Sequence, residues 1–376
     1  MSTPTYYTLG KSGLRVSRLA LGTMTFGNDW GWGSEEGAAR AIFDRYLAAG
    51  GNFLDTADLY TGGNSERLLG RFVKDSGSRD RVVIASKYSF GEGPDAWGAN
   101  PNAGGNGRKH LLRALEGSLQ RLGTDYLDLY LMHVWDRVTP VEEVVRTLDD
   151  AVRAGKIRHY GFSDVPAWYA ARAATLAELR GYERPVTLQM QYSLVERQIE
   201  REYVALGAET GQGLMVWSPL ASGLLSGKYR PSESGGQGEG RLAMLAGSGN
   251  PAFADKFSAR NWAIVAELEK VAKALGRSMA QVALNWVATQ PGVGSVVLGA
   301  TKLSQLDDNL GALDFELPAE LRARLEAVSA PEPQFPYYFF EPAMQGMVHS
   351  GAAVGDKPAS YARPVAPVAN AGAGVQ

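Results

Sequence analysis

Asp55, Tyr60, Lys87 and His133 are four titratable side chains that close, or closely follow, the short apolar runs NFLDTADLY, VVIASKY and LDLYLMH. A carboxylate, a phenol, an ammonium and an imidazole at one point suit proton transfer to an oxygen that is becoming an alkoxide. A phenol with a pKa of about 10 is a poor acid near neutrality, but an ammonium beside it would depress that value. Asp55 would keep the ammonium charged, and His133, in either protonation state, could hydrogen-bond the same substrate oxygen and fix its position. Such a set moves a proton. The hydride or other nucleophile has to come from a cofactor. Taken singly, each residue has an ordinary reading, Asp55 as a turn or helix cap and Lys87 and Tyr60 as rim residues. Their joint occurrence at three successive runs argues for chemistry.

The runs belong to a regular alternation. Candidate strands fall at 18–23, 52–57, 82–88, 127–133, 159–164, 187–193, 214–220 and 294–300. Amphipathic segments such as 108–123, 141–156 and 167–181 lie between them and end near Gly or a basic residue, as helix C-termini do. Eight β/α units point to an α/β fold closed as a parallel (β/α)8 TIM barrel, in which strand exits are neighbours and residues distant in sequence meet at one mouth. A doubly wound sheet is the competing architecture. No G-x-G-x-x-G fits GTMTFGNDWGWG after the first run, which counts against a dinucleotide fold. YYTLGKSGLRVSRL alternates around KSG and reads as an N-terminal β-hairpin closing the bottom of the barrel.

Residues 1–330 are expected to form the barrel domain and 331–376 a C-terminal extension. In that extension PEPQFPYYFFEPAMQGM is apolar enough to pack near the mouth, and the final ANAGAGVQ should be disordered. The stretches 89–107 and 221–259 interrupt the repeat after strands, where long loops act as lids or substrate loops.

Composition narrows the partner. Lys and Arg number 38 against 40 acidic residues, so no net field draws the chain to nucleic acid or to an anionic membrane. A small molecule is the expected partner; an oligomer is left open. The absence of cysteine excludes disulfides, thiolate zinc sites and a cysteine nucleophile, and no metal site is read from the sequence. The N-terminus has no signal-like apolar core, and no apolar run of about 20 residues occurs, so a cytoplasmic enzyme is expected. A barrel hydrolase using paired acids is a rival, because Asp55, Asp58, Asp128 and Asp136 lie near strand exits. It would give no use to Lys87 or Trp217.

With these residues in place, the chain resembles the aldo-keto reductase family from LGKSGLRVSRLALGTMTFG to about LGALDF. NFLDTADLYTGGNSE, ASKY, LDLYLMHVWD, GFSD, QMQYSL, WSPLASGLLSGKY and GATKLSQLDDNLGAL occur in order. The resemblance implies a barrel that binds a nicotinamide cofactor and interconverts a carbonyl (aldehyde, ketone or keto-sugar) and an alcohol. It makes Asp55, Tyr60, Lys87 and His133 the catalytic tetrad, with Tyr60 the acid in reduction and the base in oxidation. Ser163, Asp164 and Gln189 would hydrogen-bond the nicotinamide carboxamide. Trp217 would stack on the ring; an ordinary core tryptophan is the alternative.

In the same resemblance, Ser218, Leu220 and Gly223 let the backbone approach a pyrophosphate, with Lys228 pairing its charge. Gly299 belongs to the same cofactor site. Thr301, Lys302 and Gln305 would touch the adenosine 2′-phosphate, and Asp308 and Asn309 would lie near the adenine. Lys302 supplies a cation there, so NADP(H) is expected over NAD. The family more often carries Asn at position 164, Arg at 302 and Glu at 308. Phe26, Trp30 and Trp32 in the first loop, the segment from Tyr88 through Trp97, and Trp135 after His133 are expected to wall a bulky or ringed substrate. The alternative role is a cofactor-sensing regulatory subunit of a membrane channel that binds NADPH with little turnover.

Overall fold

Helix Arg108–Leu122 shows how sequence spacing becomes architecture. Leu111, Leu115, Leu119 and Leu122 recur at intervals of three and four and are buried, and the chain leaves the helix through Gly123 at φ 61°, the left-handed exit that glycine takes without steric cost. Such helices surround a barrel of eight parallel strands: β3 (Leu19–Gly22), β4 (Phe53–Asp55), β5 (Val83–Tyr88), β6 (Leu127–Met132), β7 (Ile157–Ser163), β8 (Thr187–Gln191), β9 (Gly213–Trp217) and β10 (Val293–Leu298). β10 pairs with both β9 and β3, with Val296 opposite Leu19, and so closes the barrel. The expected alternation holds and the doubly wound sheet falls away. This computed structural model describes residues 5–91, 93, 99–232, 236–245 and 256–353; Trp97 and the ANAGAGVQ terminus lie outside them.

The period-2 alternation of each strand divides its side chains between two cores. Ala20, Phe53, Val83, Ala85, Leu129, Leu131, Met215 and Val297 fill the barrel interior. Their neighbours Ile84, Tyr88, Tyr130 and Met132 pack outward against the helices.

Two further strands, β1 (Tyr6–Thr8) and β2 (Arg15–Ser17), form the expected antiparallel hairpin. Its Leu9 and Val16 join the interior cluster. Lys11 N–H donates to Gly211 O at 2.6 Å, just before β9, and a Cβ at Gly10 would collide with Val186 O, just before β8. The hairpin therefore plugs the barrel at the strand starts, opposite the mouth.

The chain divides into two compact units, 1–330 and 331–376. The second contains a turn at Tyr337–Phe340 and a helix at Pro342–Val348, with the Tyr338 and Phe339 rings 4.6 Å apart. No helix among the described residues is long and apolar enough to cross a membrane.

Candidate active site

β4 and β5 end side by side, and this sets the centre of the mouth. Lys87 points inward with Val83 and Ala85 and is fully buried. Its Nζ donates to Asp55 Oδ2 at 2.8 Å, to Thr56 O at 2.7 Å and to the Tyr60 hydroxyl at 3.2 Å. Across the barrel, Gln189 donates Nε2 to Asp55 Oδ1 at 2.8 Å. His133 stands one residue past β6, edge-on to Tyr60 with centroids 5.9 Å apart. Its backbone N–H donates to Tyr88 O at 2.8 Å and to Ser89 Oγ at 3.1 Å. The four residues expected to act together do meet.

The charges differ from expectation in one respect. Burial raises the Tyr60 phenol and outweighs the lowering by Lys87, so the hydroxyl lies above its ordinary value rather than below it. Burial opposes the charge on Lys87, yet Asp55 and Tyr60 together carry its pKa above the usual lysine value. Burial, reinforced by the Lys87 charge, holds His133 well below the usual imidazole range, so it is neutral at pH 7. The acids do not form a hydrolase pair. Asp128 lies near the start of β6, not at a strand exit, and pairs with Arg79 at 2.9 Å. Asp136 fastens its own loop through Thr139.

A cofactor has a surface that fits it. Past β9, Ser218, Ala221, Ser222 and Gly223 take φ of 53°, 48°, 57° and 92°. Left-handed backbone at three non-glycine residues is strained, and it is held by the N–H groups of Ala221 and Ser222 donating back to Ser218 within the turn. Leu220 is half-buried against the core, and its carbonyl oxygen accepts from Gly223 N–H at 2.9 Å. Lys228 lies across the turn, where a Cβ on Gly223 would come within 2.8 Å of its Nζ. Arg241, on the short helix Arg241–Leu245, adds a second cation. Burial and the neighbouring Arg241 lower Lys228, and burial lowers Arg241; neither makes an ion pair among the described residues. Two cations without an ion pair among the described residues, beside this tight turn, suit a diphosphate.

Ser163 Oγ, at the end of β7, is buried without a partner. Trp217 is half-buried rather than a core residue, and its Nε1 donates to Asp164 Oδ1 at 3.0 Å. Solvent reaches Asp164, but desolvation pushes it up to about 6 against the opposing bond from Trp217. Further round, Gln305 Oε1 accepts from the N–H groups of Thr301 (2.9 Å) and Lys302 (3.2 Å), closing the start of helix Leu303–Leu310 and leaving Lys302 exposed. The space in front of Gly299 is open. Asn309 is buried, and the Asp308 carboxylate accepts from Ser278 Oγ at 2.7 Å, which turns it toward helix Met279–Ala288.

The structure brings part of the expected substrate wall to the mouth. Trp30 meets Tyr60 edge-on at 6.4 Å and Trp32 packs on Trp30 at 5.6 Å. Phe26 is instead fully buried against Phe72, centroids 6.0 Å apart. Tyr88 is stacked on Tyr130 at 5.0 Å in the outer core, because inward-facing Lys87 sends the next residue outward. Trp135 packs against Trp168 at 5.4 Å. Phe90 comes from the expected segment 88–97, whereas Arg241 escaped the sequence reading. Phe90 lies edge-on to His133 at 5.0 Å. Arg241 sits over Trp32, Cζ 5.2 Å from the ring. Phe90 follows β5 by two residues, so its loop could be named from the sequence; Arg241 lies in an aperiodic insertion and offered no such signal.

A single parallel barrel with a buried phenol, ammonium, carboxylate and imidazole at its mouth defines a class of oxidoreductase. The Aldo/keto reductase family model matches residues 18–330, and the chain belongs to that family. It is 36% identical over 334 residues to a protein of Oryza sativa subsp. japonica named probable voltage-gated potassium channel subunit beta, covering 88% of this chain and 98% of that protein. It is 35% identical over 333 residues to an uncharacterized oxidoreductase of Bacillus subtilis (86% and 95%). It is 34% identical over 342 residues to norsolorinic acid reductase of Emericella nidulans (89% and 84%).

Proposed function

We propose that the protein interconverts a carbonyl compound and an alcohol with NADP(H), with Tyr60 as the acid in reduction and the base in oxidation. The observation that carries this reading is the buried contact of Lys87 Nζ with both Asp55 Oδ2 (2.8 Å) and the Tyr60 hydroxyl (3.2 Å). Ser163, Asp164 and Gln189 would hold the carboxamide, Trp217 the ring, and Ser218, Leu220, Gly223, Lys228 and Arg241 the diphosphate. Gly299, Thr301, Lys302 and Gln305 would hold the 2′-phosphate, with Asn309 and Asp308 beside the adenine. The cofactor supplies a hydride to the carbonyl carbon. The protein handles the oxygen: neutral His133 positions it, Tyr60 delivers its proton as negative charge develops there, and Lys87, kept charged by Asp55, stabilises the phenolate left behind. Trp30 limits water at the phenol. A ringed carbonyl compound suits the tryptophan-lined mouth. The test is nicotinamide absorbance with NADPH or NADH against aromatic aldehydes, ketones and keto-sugars, with Tyr60→Phe as control.

The name of the rice relative favours a second reading, a subunit that binds NADPH and reports its state to a partner. Tight NADPH binding with turnover no faster than in Tyr60→Phe would select it.

A further inference from the structure

A second concavity, of about 460 Å³, lies between the exits of β7 and β8 and the loop that follows β6. One side is aromatic: Trp135 lines it, backed by Trp168 outside the groove with ring planes at 87°. Tyr203 contributes another ring, fixed by its hydroxyl donating to Val165 O at 2.7 Å. Arg137, Gln191 and Gln198 also line the groove, and none has a side-chain partner among the described residues. Arg137 stands on left-handed backbone, φ 66°, which a residue with a Cβ seldom adopts. The groove continues into the reaction centre. Asp164 borders it and also accepts from Trp217, and Trp135 is two residues from His133.

Flat aromatic plates beside planar side chains with several donors and acceptors match a ring bearing vicinal hydroxyls, whose C–H face lies on tryptophan while each hydroxyl pair meets a guanidinium or amide. A phosphate is disfavoured, because Asp164 and Glu196 place carboxylates on the same space. A wholly apolar ring would bury Arg137, Gln191 and Gln198 without partners. We propose that this groove is a subsite for a polyhydroxylated ring that the substrate carries beyond its reducible carbonyl. The proposal deepens the carbonyl-reductase reading and rests on it.

The test compares 4-hydroxybenzaldehyde with its β-D-glucoside, which offers the same aldehyde, and with 2-naphthaldehyde, which adds only an apolar ring. The glucoside should show a KM about tenfold lower than 4-hydroxybenzaldehyde with kcat nearly unchanged, the size expected of a few well-placed contacts. Gln198→Ala and Arg137→Ala should each erase that gain and leave 4-hydroxybenzaldehyde unaffected. Calorimetric titration of phenyl β-D-glucoside into the NADPH-saturated protein, independent of turnover, should show binding that both variants weaken. Equal KM for the two aldehydes, a gain that survives both variants, an equal gain with 2-naphthaldehyde, or displacement of the glucoside by NADPH would each overturn the subsite. If no aldehyde is turned over while the glucoside still binds in a Gln198-dependent way, the reductase reading fails and the sugar-binding groove stands.

Discussion

Gln189 donates its amide to Asp55, Nε2 to Oδ1 at 2.8 Å, from the far wall of the barrel. Asp55 gives its other oxygen to Lys87. Both ends of the carboxylate are therefore tied, and because a carboxylate only accepts, the orientation of the Gln189 amide is fixed as well. Its NH₂ points at Asp55, so its carbonyl oxygen is the end left for a nicotinamide carboxamide. One glutamine thus joins the surface proposed for the cofactor to the proton-handling centre.

The proton step makes the first prediction. Tyr60→Phe should lower kcat for carbonyl reduction by about 10²–10⁴-fold, the usual worth of a positioned acid, with NADPH affinity changed by less than about threefold. In the wild type, reduction needs the protonated phenol. Burial holds that group above its ordinary 10.0, so reduction should stay level from pH 6 to 9 while alcohol oxidation, which needs the phenolate, climbs through the same range. Initial rates in both directions across pH provide the check; a reduction rate that falls between pH 7 and 9 would refute the assignment.

Cofactor choice makes the second. Lys302 is exposed beside the Gln305 cap and free to meet a phosphate. Lys302→Glu should weaken NADPH by about 10–100-fold, the range of one charge-assisted bond reversed, and NADH by less than about threefold. Fluorescence titration with each cofactor decides it, and equal losses would remove Lys302 from the phosphate site.

Asp164 should make cofactor binding depend on pH. Burial pushes its carboxyl up to about 6, so lowering the pH from 7.5 to 5 protonates it and replaces a charged acceptor, which Trp217 Nε1 and by proposal the carboxamide would use, with a weaker neutral one. NADPH affinity should fall about three- to tenfold over that interval, as expected for a hydrogen bond worth about 1 kcal/mol. Asp164→Asn should flatten the dependence. A wild-type profile as flat as the variant's would show that Asp164 takes no part.

Asp58 affects stability instead. It neighbours the buried Glu66, and burial followed by the Glu66 charge raises it from 3.8 to about 7. Its proton is held more tightly in the folded chain than in the unfolded one. Stability should therefore fall as pH rises from about 4 to 7 and change little above. Asp58→Asn should remove this slope and stabilise the protein at pH 8 by about 2 kcal/mol, less than a fully buried carboxyl would give. Urea midpoints at pH 5 and pH 8 measure it; a variant no more stable than wild type at pH 8 would disprove the buried-acid account.

The strands and the inward residues at their ends were legible because period 2 and parallel closure leave little freedom. Lys87 had to reach the mouth once β5 was recognised. The same rule, carried one residue further, would have sent Tyr88 into the helix layer. Phe26 was unreadable in another way: it sits in an irregular loop, where no period tells which side faces the core, and Phe72, its partner, is far off in sequence. The raised phenol of Tyr60 was also hidden, since a list of neighbouring charges omits burial, the larger influence. Arg241 belongs to a segment whose placement depends on Trp32 and Met24, more than 200 positions earlier.

The seam between β3 and β10 sets an order in time. Thr25 Oγ1 donates to Ala300 O at 2.7 Å across it, and Ser34 reaches Thr301 O. While the chain is being made, the first barrel strand waits with a bare edge until its last neighbour leaves the ribosome. Tyr60 is synthesised early, yet Trp30, which meets it edge-on, hangs from a loop anchored at residues 300 and 301. A nascent chain halted before that point would carry Tyr60 without Trp30 held over it, so newly made protein depends on the last fifth of its sequence to close the barrel.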